Sequence, residues 1–569
     1  MSSSGNFTHR ASHQITEVTK TASIGFDQER FEHFVSPAYP AIASPSVPCC
    51  PETSIPIDGQ FGDSLAERKA HHETGNYERK PMYVHLLHQY PAQTVDRCDI
   101  ARVTIDTLPD VALLELFDFY VGEAQILQRG HEVKKEIEAW NTLVHVCRKW
   151  RIVVFGSPHR LDLRLHCSTG TPVRKLLDVW PLLPLVIRGG GGEKWGMNNI
   201  AAALEHNNRT RMIDLWRVSR SQMEEVLAAM QQPFPVLTSL SLQAREGTVP
   251  VIPASFLGGS APRLQHLFLR HISFPGLPKL LLSATHLAHL FLSEIPYIGY
   301  PSPESMVNGL SLLTRLKTLT IRFNSPRCRP DRRTRRPPLL TRILLPVLTR
   351  LQFSGVCEYL EDLVARIDAP LLHKLEITFF NQLIFDTLQL TQFISRAPEF
   401  KSCDQAHVHF FHSYFSITFK APSPQTFYRE LVLEILCCHP DWQLSSLAQV
   451  CSSLLPQALI PMAKLYIDDE MLLLFWKEDD FESSQWLEFL RLFAAVKDLY
   501  ISQKFVSSIA PALQELVGER VTEVLPALQT LFLEMNDPSG SVEEAIRQFV
   551  AARQLANRPV AISRWERSQ

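Results

Sequence analysis

Residues Leu264–Leu269 read LQHLFL, and Leu287–Leu292 read LAHLFL; these two stretches decide how the chain folds. Both follow the pattern apolar-x-x-Leu-x-apolar. It occurs also at Leu237–Leu242 (LTSLSL), Leu316–Ile321 (LKTLTI), Leu348–Phe353 (LTRLQF) and Leu372–Ile377 (LHKLEI), and it returns at Met462, Val496 and Leu528 after a degraded stretch. Successive starts among the first six lie 23 to 32 residues apart. Alternating apolar positions over so short a run are those of a strand with one buried face. The segments between carry helical period instead: Met223, Val226, Leu227 and Met230 form one face, and Leu360, Leu363, Val364 and Ile367 another. A single strand and its returning helix cannot bury that face alone, but stacked copies can.

The expected fold is therefore α/β: a leucine-rich-repeat-like β/α solenoid, or horseshoe, over residues 175–569. The alternative, an ordinary α/β domain with parallel strands, would have more uniformly apolar strands. Within each Leu-x-Leu strand the leucines face the core and the intervening residues face outward. That places Phe268 and Phe291 as neighbours on the concave side, with Arg270, Arg322, Arg350 and Lys374 as a basic rim. Such a surface suits a target protein with an apolar knob and acidic flanks. A fold-back of the C-terminal region onto both rings is the competing expectation. At the far end Ser541 and Glu544 have capping-box spacing ahead of Val542, Ala545, Ile546 and Phe549, which predicts a helix that caps the array.

The 569 residues exceed one ordinary compact core, and 45% hydrophobic with 20% charged residues is the balance of a globular chain. A net charge of −2 argues against a general nucleic-acid or membrane-surface binder. The opening MSSSGNFTHR has no apolar core, so no secretory signal is expected, and the apolar run from Val111 to Val121 is broken by Glu115 and Asp118. Eleven scattered cysteines without a CxxC fit reduced thiols in cytoplasm or nucleus. Residues 1–100 show little periodicity, with six prolines between Pro37 and Pro56, and are expected to be a disordered arm.

Chemistry is sparse. His407, His409 and His412 with Cys403 offer ligands, but no second pair closes a four-ligand set, so no metal and no cofactor are expected. Gly189–Gly192 lacks phosphate-loop spacing, and Glu193 would repel a phosphate; it reads as a flexible connector. Gly-x-Ser-x-Gly and His-Glu-x-x-His are both absent, so no enzyme is expected. Six arginines between Arg327 and Arg336 predict a solvated loop, with a nuclear address or a clamp for an acidic partner as the functional alternatives.

Ahead of the repeats, Leu108-Pro109-Asp110 opens a helical run through Val111, Leu113, Leu114, Leu116 and Phe117. Leu143, Val144, Cys147 and Trp150 then share one face of a second helix. The two stretches, LPDVALLELF over 108–117 and LVHVCRKWR over 143–151, resemble an F-box, and the whole of 103–569 is similar to fungal F-box proteins with degenerate leucine-rich repeats. Ala112 departs from the larger aliphatic usual there, and the connection from Gly122 to Ala139 is longer than usual. The resemblance implies a module over 103–165 that binds a Skp-type adaptor through Leu108, Pro109, Leu113, Leu116, Phe117, Val144, Cys147 and Trp150. It further implies a cullin behind the adaptor, a target protein on the repeats, and a substrate-receptor role in a ubiquitin ligase whose catalysis lies in other subunits. The alternative is a leucine-rich-repeat scaffold outside any ligase.

Overall fold

In a computed structural model the described residues are 108–126, 143–156, 163–179, 182–192, 194–247, 249–296, 299, 301–324, 342–380, 385–411, 414–421, 429–436, 440–458, 462–468, 482–516, 518–534 and 540–566. The expected N-terminal arm, the Arg327–Arg336 segment and His412 lie outside them.

The first strands are β1 (Leu163–His166), β2 (Leu185–Gly190), β3 (Thr210–Val218), β4 (Ser239–Ala244), β5 (His266–Arg270) and β6 (His289–Ile295). Next come β7 (Thr318–Phe323), β8 (Ile343–Leu344), β9 (Arg350–Gly355), β10 (Ile367–Asp368) and β11 (Lys374–Phe380). The last are β12 (Gln405–Phe410), β13 (Tyr414–Lys420), β14 (Glu430–Leu436), β15 (Lys464–Asp468), β16 (Asp498–Ile501), β17 (Thr530–Leu533) and β18 (Ala561–Arg564). Apart from the small β8–β10 pair, they form one open sheet of 16 strands with helices between, an arrangement consistent with a leucine-rich-repeat-like solenoid.

The repeated pattern determines the register. Leu240, Leu267, Leu290, Leu319, Leu351, Leu375 and Leu431 lie side by side across seven strands, all buried. Full burial of one such side chain is worth roughly 1.5–3 kcal/mol, so the row is a continuous apolar spine. Behind it pack the returning helices. Met223, Val226 and Leu227 are the buried face of helix Arg220–Ala229, and Leu360, Leu363 and Val364 that of helix Cys357–Val364.

The stretch that looks degraded in sequence is where the chain reverses. Strand β13 runs antiparallel to both β12 and β14, and the sheet order there is β11, β14, β13, β12, β15. Parallel pairing resumes between β12 and β15.

Gly189–Gly192 is not a flexible connector. Gly189 and Gly190 are the last residues of β2, and the glycines are needed for close approach. A Cβ on Gly189 would lie 2.9 Å from Ile200 Cδ1, one on Gly190 3.0 Å from Trp195 Nε1, and one on Gly191 only 1.8 Å from the Arg217 carbonyl oxygen. The C-terminal helix forms over Gly540–Leu555 with Ala545, Ile546 and Phe549 buried, but it does not finish the array, because β18 follows and pairs with β17. Within it, Glu544 bonds Arg547 and Gln548 one turn on. Arg553 on the same helix is fully buried and donates to the carbonyls of Val521, Pro526 and Leu528 at 3.2–3.4 Å. These bonds tie the last helix to the preceding repeat.

Candidate interaction surfaces

The helix pair ahead of the sheet has its own small core. Helix Asp110–Ile126 starts directly after Pro109, whose carbonyl accepts from Leu113 N–H at 3.1 Å, as a proline entering the first turn allows. The second helical run is broken: residues 143–146 are helical, Cys147 interrupts, and helix Arg148–Gly156 follows. Leu113, Leu114, Phe117, Leu143, Val144, Val153 and Val154 form a buried cluster separate from that of the sheet, with Leu108 and Trp150 partly buried against it. Trp150 packs on Phe117 at 4.7 Å between ring centroids. Lys149 Nζ donates to Leu108 O at 2.8 Å, tying the second run to the start of the first, and Arg151 Nε donates to Val144 O at 3.0 Å across the break in the second.

Of the expected adaptor contacts, Leu113, Phe117 and Val144 are buried in the module's own core. Cys147 is half-buried, and Pro109 and Leu116 are exposed. The apolar side chains in solvent are Val111 at 61% exposure, Leu116 at 49%, Phe119 at 68%, Val146 at 51% and Ile152 at 60%. The sequence pattern missed four of these five, since helical period shows which residues share a face but not which face turns inward.

The outward face of the sheet places Phe268 and Phe291 side by side as expected, in register and 6.2 Å apart between centroids. Both are half-buried rather than covered. Next to them His266 and His289 stack at 4.8 Å, and His289 Nδ1 lies 3.2 Å from Thr318 Oγ1. Burial holds His289 below the ordinary imidazole range, helped by His266 and Lys317.

The expected basic rim divides in two. Arg350 is held 3.0 Å from Glu376, and Lys374 bonds Glu376 and Glu430 at 3.0 Å each. Burial pulls the Lys374 ammonium down, but the bonds from Glu430 and Glu376 outweigh it and its pKa is raised overall. Gln352 also donates to Glu376, and Thr378 to Glu434 at 2.7 Å. Arg350 and Lys374 are therefore neutralised within the sheet. Arg270 and Arg322 have no carboxylate within ion-pair distance among the described residues, and Arg270 Nε is shielded from solvent without a bond.

A second aromatic array lies at the other end of this face. Tyr466 stacks on His407 at 4.3 Å, on Tyr500 at 4.2 Å, and Tyr500 on Phe532 at 4.3 Å, with ring planes within 14° of parallel. Trp565 meets Tyr500 edge-on at 5.6 Å. The signal was present in the sequence: Tyr466, Tyr500 and Phe532 follow Leu465, Leu499 and Leu531 just as Phe268 and Phe291 follow Leu267 and Leu290. Burial, with Lys420 and His409, pushes the His407 imidazole down to about 3. Burial raises Tyr466, as do Tyr500, Asp498 and Asp404 beside it. Cys403 is buried, its thiol pushed up to about 12, mainly by that burial. Among the described residues no group of three His, Cys, Asp or Glu side chains is placed to hold a metal, and no helix is long and apolar enough to cross a membrane.

No protein-family model matches the chain, and no curated protein does. Among solved structures it is similar to the leucine-rich repeat-containing protein LegL7 from Legionella pneumophila. That likeness has 12% identity and a TM-score of 0.24, covering 68% of this chain and 97% of that one. The repeated ladder with one solvent-facing row of side chains suggests a protein-interaction scaffold.

Proposed function

We propose that this chain is the substrate-receptor subunit of a Skp–cullin–F-box-type ubiquitin ligase. The helix pair docks on a Skp-type adaptor, which brings in the cullin, while the repeats hold a target protein. No chemical step falls to this chain in that reading. It needs no cofactor, nucleic acid or membrane, and it works in the cytoplasm or nucleus.

The supporting observation is the set of apolar side chains that the module leaves in water. Val111, Leu116, Phe119, Val146 and Ile152 belong to two short helical runs whose own core is already filled. Five large apolar side chains exposed on so small a unit suit a contact surface. The test is capture of a Skp-type adaptor by the full chain, with Val111→Ser combined with Phe119→Ser as the variant. Both positions are exposed, so the module keeps its core, and loss of two apolar anchors should weaken capture at least about tenfold. Trp150→Ala is expected to release the adaptor too, by loosening the packing on Phe117. Failure of the intact chain to hold any adaptor sinks the ligase reading.

The second reading, a scaffold outside any ligase, gains from one observation: three expected adaptor contacts, Leu113, Phe117 and Val144, are buried in the module's own core. An intact chain that captures a target but no adaptor decides for it.

A further inference from the structure

The outward face treats its cations in two different ways. Across β9, β11 and β14 each long cationic side chain meets a carboxylate: Arg350 and Lys374 share Glu376, and Lys374 also takes Glu430. Across β5 to β7 the opposite holds. Among the described residues Arg270 and Arg322, both half-buried, have no acidic partner. The Nε–H groups of Arg270 and Arg350 are alike shielded and donate to nothing, so it is the missing ion pair that sets Arg270 apart. A buried donor left without an acceptor costs about 1–3 kcal/mol, and a guanidinium carries five N–H donors in a planar fork that fits a carboxylate.

The two arginines stand on β5 and β7, on either side of β6. Arg270 lies opposite Ser293 on β6, and Arg322 follows Ile321, which pairs with Leu292 just before an irregularity in the β6–β7 register. With neighbouring strands roughly 4.8 Å apart, the two backbones are about 10 Å apart across the sheet, a span two long side chains close around one carboxylate. The Phe268–Phe291 pair is on β5 and β6, one outward position back from Arg270, and the His266–His289 stack borders it. Of the nearby acids, Glu246 pairs with His271 at 4.0 Å, and Glu294 also lies close to His271.

We infer that strands β5 to β7 form an acceptor site for an acidic segment of the target protein. An Asp or Glu side chain enters between Arg270 and Arg322, and an adjacent apolar side chain rests on Phe268 and Phe291. The site rests on the reading of the repeats as the target-holding surface, and it narrows that surface from the whole face to three strands. A small free anion would leave the phenylalanine pair unused. A nucleic-acid strand needs a cation at successive phosphates, and the next cations along the face are already bonded to Glu376 and Glu430.

The experiment is selection of random twelve-residue peptides displayed on phage against the immobilised full chain. It is run in parallel on a chain carrying Arg270→Gln and Arg322→Gln, with the melting temperature of both measured. Enriched peptides should carry Asp or Glu next to an aromatic or aliphatic residue, and that enrichment should vanish on the double variant. Each single variant should bind the top synthetic peptide at least about tenfold more weakly, as expected for losing a charge-assisted bond. Enrichment of neutral or basic peptides, no enriched sequence at all, or acid enrichment that persists on the double variant overturns the assignment. Adaptor capture by the helix pair should be unchanged in these variants, so a failed ligase reading and a failed acceptor site give different results.

Discussion

Replacing Glu361 tests how one repeat is locked to the next. Glu361 is on helix Cys357–Val364 and almost fully buried. Its carboxylate accepts the backbone N–H groups of Gln389 and Leu390, both at 2.7 Å, at the start of the next repeat's helix, Leu388–Arg396. Those amides belong to a helix's first turn and have no partner within their own helix. The helix end carries a partial positive charge that favours an anion there. Each charge-assisted bond is worth about 1.5–3 kcal/mol, against several kcal/mol for desolvating the carboxylate. Glu361→Ala leaves both amides without an acceptor in a dry interior and opens a cavity, which together should cost about 3–5 kcal/mol. Glu361→Gln keeps the shape and one acceptor oxygen, so about 1–2 kcal/mol is expected. A long repeat array need not unfold in one step, so a denaturation midpoint alone is insufficient. Amide hydrogen exchange at Gln389 and Leu390 reads the contact directly, and protection there should fall by about two to three orders of magnitude in the alanine variant. If Glu361→Ala loses less than about 1 kcal/mol and both amides stay protected, desolvation cancels the bonds and the reasoning fails.

Two other substitutions probe features the sequence left unread. Gly191→Ala should destabilise the start of the array by more than about 3 kcal/mol, because the new Cβ meets the Arg217 backbone and neither side can move away; unchanged thermal unfolding would refute this. His407→Phe should flatten the acid limb of the stability curve. The folded imidazole titrates near 3 against an ordinary 6.5, so between those values the unfolded chain binds a proton that the folded chain refuses, and stability is lost as pH falls through that window. Denaturation at a series of pH values checks it, and equal slopes for variant and parent would count against the burial of His407.

The alternation of leucines made the sheet legible because it reports directly which side of a strand is dry, and the pairing of Phe268 with Phe291 followed from equal phase in adjacent repeats. Charge was harder to read. Arg350 and Lys374 look like Arg270 and Arg322 in sequence, but only the register shows Glu376 and Glu430 standing beside the first two. The glycines of β2 were misread because a run of Gly signals freedom locally, whereas here the Arg217 backbone, more than twenty residues away, demands the missing Cβ. Similarly, the helix pair's apolar positions were visible, but burial had to sort Phe117 from Phe119.

The reversal at β13 has a consequence for the birth of the protein on the ribosome. An uninterrupted parallel array can add each strand as soon as it is made. Here β11 finishes at Phe380, and its neighbour is not β12 but β14, which ends at Leu436. At about 5–20 residues per second, β11 keeps a bare hydrogen-bonding edge for roughly 3–11 s of synthesis. During that interval the nascent chain must hold β12 and β13 aside until the three-stranded meander can dock through β14, and only then does β12 offer a template to β15. An open edge on a half-made sheet recruits any other extended chain nearby. The seam is therefore the point at which a chaperone, or a pause in translation, would matter most for this protein's yield.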